Sequence, residues 1–308
     1  MRDRIGLSRV AWLNIRLALA FTRATRDLLK GDLVSSLLIP AISEANVGHL
    51  DQHPDDTLKH LALDASYPDA LRRPANVMSI AASLDIPRET ARYKLEALLE
   101  SGLVHRQDGG IILKTETLTS ERFLPAIPRY LEAMADFVAD LGQLSACGLR
   151  PGQALVRPIW PVAGAVLRLG TAHVLRCIGH LRALAPGVSL LDSYILMAVI
   201  HETAAHLRSS SIGLDAPEGL DWRPLDRTAV SGLHLARTYD IPVETVRRRL
   251  KRLEGEAALV RRSGGFVLSE PLAGPGLAAL QESARANTSQ IIWRLCLAGA
   301  VPPSQSAL

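Results

Sequence analysis

Shifted against itself by 155 residues, the sequence aligns 76–113 with 231–268 without a gap, and 13 of those 38 positions are identical. A supersecondary unit is therefore used twice, and any fold assigned to one copy has to suit the other. The matches are grouped. Asp85, Ile86 and Pro87 return as Asp240, Ile241 and Pro242; Glu89, Thr90 and Arg92 as Glu244, Thr245 and Arg247; Leu95 and Leu98 as Leu250 and Leu253. Further on, Arg106, Gly109, Gly110 and Leu113 return as Arg261, Gly264, Gly265 and Leu268.

Each copy reads as a short helix (77–84; 228–238), a break, and a longer helix beginning at Pro87 or Pro242. Proline suits a first turn because its φ is already fixed and its missing N–H is not needed there, while the residue before it is kept out of the helical region. Along the longer helices Ala91, Leu95 and Leu98, and in turn Val246, Leu250 and Leu253, repeat at the spacing of a core-facing stripe. Two short β-type runs follow in each copy, 103–106 with 111–113 and 259–262 with 266–268, and the Gly-Gly pair between them predicts a tight hairpin.

The plan extends beyond the duplicated stretch. Apolar helices at 33–50 and 190–207 precede the copies, long helices at 7–29 and 162–184 precede those, and further helices at 121–146 and 277–298 follow the hairpins. The expected fold is mainly α with small β-hairpin wings. Its expected organisation is a first repeat over 1–119 with a winged unit at 75–114, a connecting helix and linker over 120–157, a second repeat over 158–272 with a winged unit at 227–269, and a C-terminal helix and tail over 273–308. With 48% hydrophobic but only 4% aromatic residues, the core has to be aliphatic, which excludes an all-β chain.

The run Ile86-Pro87-Arg88-Glu89-Thr90-Ala91-Arg92 resembles the recognition helix of bacterial winged helix-turn-helix regulators, in particular the cyclic-AMP receptor, IclR and GntR groups. The likeness covers the two duplicated stretches, about a quarter of the chain, and no family is recognised for the whole. It implies sequence-specific binding of double-stranded DNA, with helices near 87–100 and 242–255 entering the major groove and the hairpins touching the backbone. Opposite the apolar stripe the first copy presents Glu89, Arg92, Tyr93, Glu96 and Glu100, with Arg88 in reach from the first turn; the second presents Glu244, Arg247, Arg248, Lys251 and Arg252, flanked by Arg249. The expected DNA contacts are Arg88, Glu89, Thr90, Arg92 and Tyr93 with Arg106 on the first wing, and Glu244, Thr245, Arg247, Arg248, Lys251 and Arg252 with Arg261 and Arg262 on the second. Charge separates the copies: 86–107 carries four Lys/Arg against three Glu, 241–262 seven against three. The second copy is expected to dominate phosphate affinity, and a glutamate at the helix start can orient the neighbouring arginine.

Thirty of the 35 basic residues are arginine, at a net charge of +4 and a pI of about 9.1, which fits a nucleic-acid partner. Cys147, Cys177 and Cys296 form no paired motif, so neither a disulfide framework nor a zinc ribbon is expected, and a reducing cytoplasm is. No run of eighteen uncharged apolar residues occurs, so no membrane span is expected; the arginine-rich first thirty residues are read as a structural helix rather than a targeting segment.

An enzyme is not expected. His201 and His206 are five residues apart, not the four of a zinc-protease helix, and diverge by about 140° around a helix. His173 and His180, with Cys177 between them, share a helix face and are read as packed polar groups rather than as a metal or redox sensor. No phosphate loop or nucleophile elbow occurs, and no cofactor or metal is expected. Tandem winged helices also serve replication initiators and chromosome-organising scaffolds, and that reading stays open. Apolar faces at Leu131, Met134, Phe137 and Leu141, or at Leu167, Val174 and Ile178, suit a bundle or a homodimer interface, and a monomer reading a two-part site stays open beside it. Trp160, His173, Tyr194 and His201 are candidates to line a small-molecule effector pocket, with ordinary burial as the competing reading.

Overall fold

Aliphatic side chains at helical spacing dominate the chain, and the secondary structure follows them. The computed structural model describes residues 9–29, 33–50, 58–64, 67–183, 187–204, 228–270, 272 and 276–302. Its elements are α1 (Arg9–Leu28), α2 (Leu33–Val47), α3 (Val77–Leu84), α4 (Arg88–Glu100), β1 (His105–Gln107), β2 (Gly110–Ile112), α5 (Thr115–Leu118), α6 (Ile127–Gln143), α7 (Ala163–Ala183), α8 (Leu190–Thr203), α9 (Gly232–Thr238), α10 (Val243–Gly255), β3 (Leu259–Arg262), β4 (Gly265–Leu268) and α11 (Leu277–Leu297). The protein is mainly helical, and among the described residues there are two separate two-stranded antiparallel sheets, β1-β2 and β3-β4. The outer parts of the expected helices at residues 7–8 and 205–207, and the arginines of the first eight residues, lie outside the described residues.

Contacts gather the chain into two units. One comprises Ala20–Arg176 with Ser289–Leu308 and holds the first copy; the other comprises Met1–Leu19 with Cys177–Thr288 and holds the second. These divisions do not follow the boundaries expected from sequence, because α1, α7 and α11 each contribute residues to both units.

Within each unit one apolar helix carries its copy. In the first, α2 packs on α3, α4 and β2; in the second, α8 packs on α9, α10 and β4. The stripes expected to face inward do so: Ala91, Leu95 and Leu98, and Val246, Leu250 and Leu253, are all at most 3% exposed. The two supporting helices grip their copies through different polar groups. Near the end of α2, buried Asn46 donates from Nδ2 to the carbonyls of Arg73 (2.8 Å) and Ile111 (3.0 Å), and its Oδ1 accepts from the Leu113 amide (2.9 Å). It acts as a side-chain strand segment against β2. On α8, which has no asparagine, Asp192 closes a capping box with Ser189 and is itself fully buried. There it meets Arg249 and Arg252 of α10, at 3.3 and 3.5 Å.

The turn between the paired helices is the same in both copies. Asp85 and Asp240 take φ of 46° and 50°, the left-handed region that aspartate tolerates better than most residues. This reversal lets the Ile86 and Ile241 amides reach back to the carbonyls of Ala81 and Ala236, both at 3.0 Å, which satisfies carbonyls left over at the helix end. Pro87 and Pro242 then stand just before the longer helices rather than in their first turn, with ψ of 135° and 130°. Proline's fixed φ suits both places, so the shift is one residue.

The expected helix over 228–238 starts only at Gly232. Ser231 caps it by accepting from the His234 amide, and Val230 pairs with Phe266 as a single-residue strand, as Ala75 does with Ile111 in the first copy. This extra strand explains the second glycine of each pair. A Cβ on Gly110 would stand 2.6 Å from Pro74, and one on Gly265 2.1 Å from the Val230 carbonyl, so close backbone approach demands glycine there. The turn itself is made one residue earlier. Asp108 and Gly109 both have positive φ, 46° and 77°, which fits a tight hairpin in the first copy, while Ser263 and Gly264 form the loop in the second.

Candidate nucleic-acid interface

With their apolar stripes buried, α4 and α10 have outer faces fixed by the helical repeat. On α4, Arg88, Glu89, Arg92 and Tyr93 are exposed and Thr90 is half-buried; on α10, Glu244, Arg247, Arg248, Lys251 and Arg252 are exposed and Thr245 is half-buried. Arg106, Arg261 and Arg262 are exposed on the hairpins. Each sequence-expected residue therefore reaches the surface at least in part.

Both copies begin the longer helix with the same ion pair. Arg92 Nε lies 3.0 Å from Glu89, and Arg247 binds Glu244 through two nitrogens at 2.7 and 2.6 Å. The hydrogen bonds from Arg247 hold the Glu244 carboxyl below its ordinary range, and the same contact raises Arg247. Both partners are about 70% exposed, so the pair orients the guanidinium without locking it away from solvent.

The copies then diverge at matched positions. In the first, Glu96 of α4 binds the wing residue Arg106 at 2.5 Å. Lys251 and Arg261 occupy the corresponding places in the second, both cationic, and Arg261 instead lies 5.6 Å over the Phe266 ring. Among the described residues, Arg248, Lys251 and Arg262 make no ion pair. Arg252 is exposed as expected but is not unpaired: it pairs with Glu256 (2.8 Å) and reaches buried Asp192, and these carboxylates raise it. Arg249 is turned further inward to Asp192. Of the seven cations in 241–262, five are thus left facing outward without a bond to Asp192.

Other sequence candidates have ordinary structural roles. His173 is buried against Phe137 and Tyr194 against Tyr239, while Trp160 is 51% exposed. His201 stacks on Trp12 at 5.1 Å and joins Glu202, Tyr239 and His234 in a hydrogen-bonded cluster. Burial would raise Glu202, but hydrogen bonds from His234, Tyr239 and His201 outweigh it and the carboxyl ends below its ordinary value. His206 lies outside the described residues. Cys177 sits between two asparagines, donating to Asn14 and accepting from Asn287. Among the described residues no three His, Cys, Asp or Glu side chains converge as a metal site. The faces suggested for dimerisation are mostly spent inside the protein, with Leu131, Met134, Phe137, Leu141, Val174 and Ile178 buried. One stretch, Trp160–Ala183, is apolar and long enough to cross a membrane, with a mean hydropathy of 1.2, and 72% of it is buried as in a core helix.

No family model matches the chain, and no curated protein or solved structure matches it either.

Proposed function

We propose that this protein is a cytoplasmic, non-enzymatic transcription regulator that binds double-stranded DNA through two winged helix-turn-helix units. The observation that carries this reading is the outer face of α10. Arg247, Arg248 and Lys251 stand exposed opposite a fully buried stripe, beside a hairpin ending in Arg261 and Arg262. A helix of this kind offers base-reaching guanidiniums while the hairpin supplies phosphate contacts. The second copy anchors the protein, because its wing cation is not neutralised by the helix beside it. In the first copy Glu96 takes up Arg106, so Arg88, Arg92 and Tyr93 contribute selectivity more than affinity.

The protein is further proposed to act as a homodimer, since Trp293 and Leu297, one turn apart on α11, are 58% and 43% exposed. Light scattering should return twice the 33.3 kDa chain mass; the chain mass alone refutes the dimer.

Selection from random duplexes tests the main reading. The full chain should enrich one motif, Arg247→Ala with Arg248→Ala should abolish enrichment, and Arg88→Ala with Arg92→Ala should alter the motif. Enrichment unchanged by the first pair refutes the assignment.

A further inference from the structure

Duplication makes the outer faces of α4 and α10 comparable position by position. Buried positions repeat because both copies need the same core, whereas exposed ones carry no such constraint. Of the positions exposed in both helices, only two keep their residue: Glu89 with Glu244, and Arg92 with Arg247. These form the ion pair of the first turn, and a pair so exposed contributes little to stability. Its geometry suits base contact instead. Glu89 holds Arg92 by Nε, and Glu244 holds Arg247 by Nε and one terminal nitrogen, so the far edge of each guanidinium keeps two parallel N–H groups. That edge matches the two acceptors that guanine presents in the major groove.

The exposed neighbours of the pair have all changed. Arg88 stands where the second copy has Val243, Tyr93 where it has Arg248, and Ala97 where it has Arg252. Tyr93 follows the shared arginine directly and is 72% exposed. It offers an aromatic ring at the place where Arg248 offers a cation without an ion pair among the described residues. Lys94 Nζ lies over that ring, 5.8 Å from its centroid, which leaves the opposite face and the edge for a partner. Thymine is the base that carries an apolar group, its methyl, in the major groove, whereas a guanidinium at the same place favours guanine.

We infer that the two copies read unlike base steps, an inference that rests on the regulator reading and names the DNA each copy accepts. Both take a guanine through the shared Glu-Arg pair. Tyr93 then takes the methyl of an adjoining thymine, while Arg248, at the matched place, takes no methyl and favours a second guanine. The DNA bound by one chain therefore has two unlike parts, and Tyr93 is the residue that sets the difference.

The test is selection from random duplexes with the full chain, followed by fluorescence anisotropy on the selected duplex with each thymidine replaced in turn by deoxyuridine. The motif should hold a thymine beside a guanine. Removing the methyl of that thymine should weaken binding about fourfold, the cost of one methyl taken from an apolar contact. Tyr93→Ala should bind the thymidine and deoxyuridine duplexes alike, and Tyr93→Arg, which gives the first copy the residue of the second, should select guanine in place of that thymine. Because Tyr93 is exposed, both variants should keep the circular dichroism of the parent. A motif with no thymine beside a guanine, binding indifferent to deoxyuridine at every position, or the same deoxyuridine sensitivity in Tyr93→Ala overturns the inference and leaves the regulator reading in place. A full chain that enriches no duplex overturns the regulator reading, and the inference with it.

Discussion

Replacing Asn46 by alanine removes three hydrogen bonds at once, and the cost can be followed group by group. The Leu113 amide, on a residue 1% exposed, loses its acceptor at 2.9 Å. The Arg73 carbonyl loses its side-chain donor, whereas the Ile111 carbonyl keeps the Ala75 amide at 2.9 Å. An orphaned buried donor costs about 1–3 kcal/mol and a weakened acceptor less, so Asn46→Ala should destabilise its unit by about 3 kcal/mol. Against a typical total of about 5–15 kcal/mol this is severe, and it should move a urea midpoint by at least about 1 M. Hydrogen exchange supplies the local readout: the Leu113 amide should lose protection first. Thr203→Val is the matched control near the end of α8, where the hydroxyl bonds only carbonyls of its own helix, Val199 at 2.8 Å and Ile200 at 3.2 Å. It should cost less than about 1 kcal/mol. An Asn46→Ala protein with an unmoved midpoint and a protected Leu113 amide would refute the clasp.

The other predictions concern backbone strain and titration. Gly102 and Ala257 occupy matched positions with φ of 71° and 57°. Gly102→Ala should therefore cost about 1 kcal/mol, and Ala257→Gly should stabilise by somewhat less, both read from thermal midpoints. Because Glu202 is lowered when folded, its contribution to stability is full above the ordinary carboxyl value and lost as pH falls through the folded value. Urea midpoints between pH 3 and 7 should consequently fall less steeply toward acid in Glu202→Gln than in the parent; identical slopes would contradict the cluster. Tyr130, raised to about 12, should ionise late in an ultraviolet titration, and Tyr130→Phe should remove that late component. An unchanged titration curve would show that another phenol carries it.

Much of the helical plan was legible because its signals are periodic and local. The duplicated Asp-Ile-Pro turns, the stripe at Leu250 and Leu253, and the boundaries of α3 all follow from spacing. The bridges at Ala75 and Val230 were not legible, since a single-residue strand has no period. The repeated glycine at 110 and 265 was its only trace, and it read equally well as turn chemistry. The outward faces of α4 and α10 could be derived from the buried stripe. The pairing of Arg249 and Arg252 with Asp192 could not, because Asp192 lies 57 and 60 residues away in sequence and becomes their partner only when α8 packs on α10. The ion pair of Glu96 with Arg106 depends likewise on how the hairpin folds back beside its helix. Tertiary packing thus decided which cations of an arginine-rich segment remain outward.

The central claim is that the outer face of α10 meets DNA, and the salt dependence of duplex binding tests it most directly. Fluorescence anisotropy with the selected duplex should compare the parent with Arg248→Ala, Lys251→Ala and Arg262→Ala combined, three exposed cations without an ion pair among the described residues. Each phosphate contact contributes about 0.9 to the slope of log affinity against log salt, so the variant should bind more weakly with a slope shallower by about 2–3. Parent-like affinity and slope in a folded variant would contradict the claim.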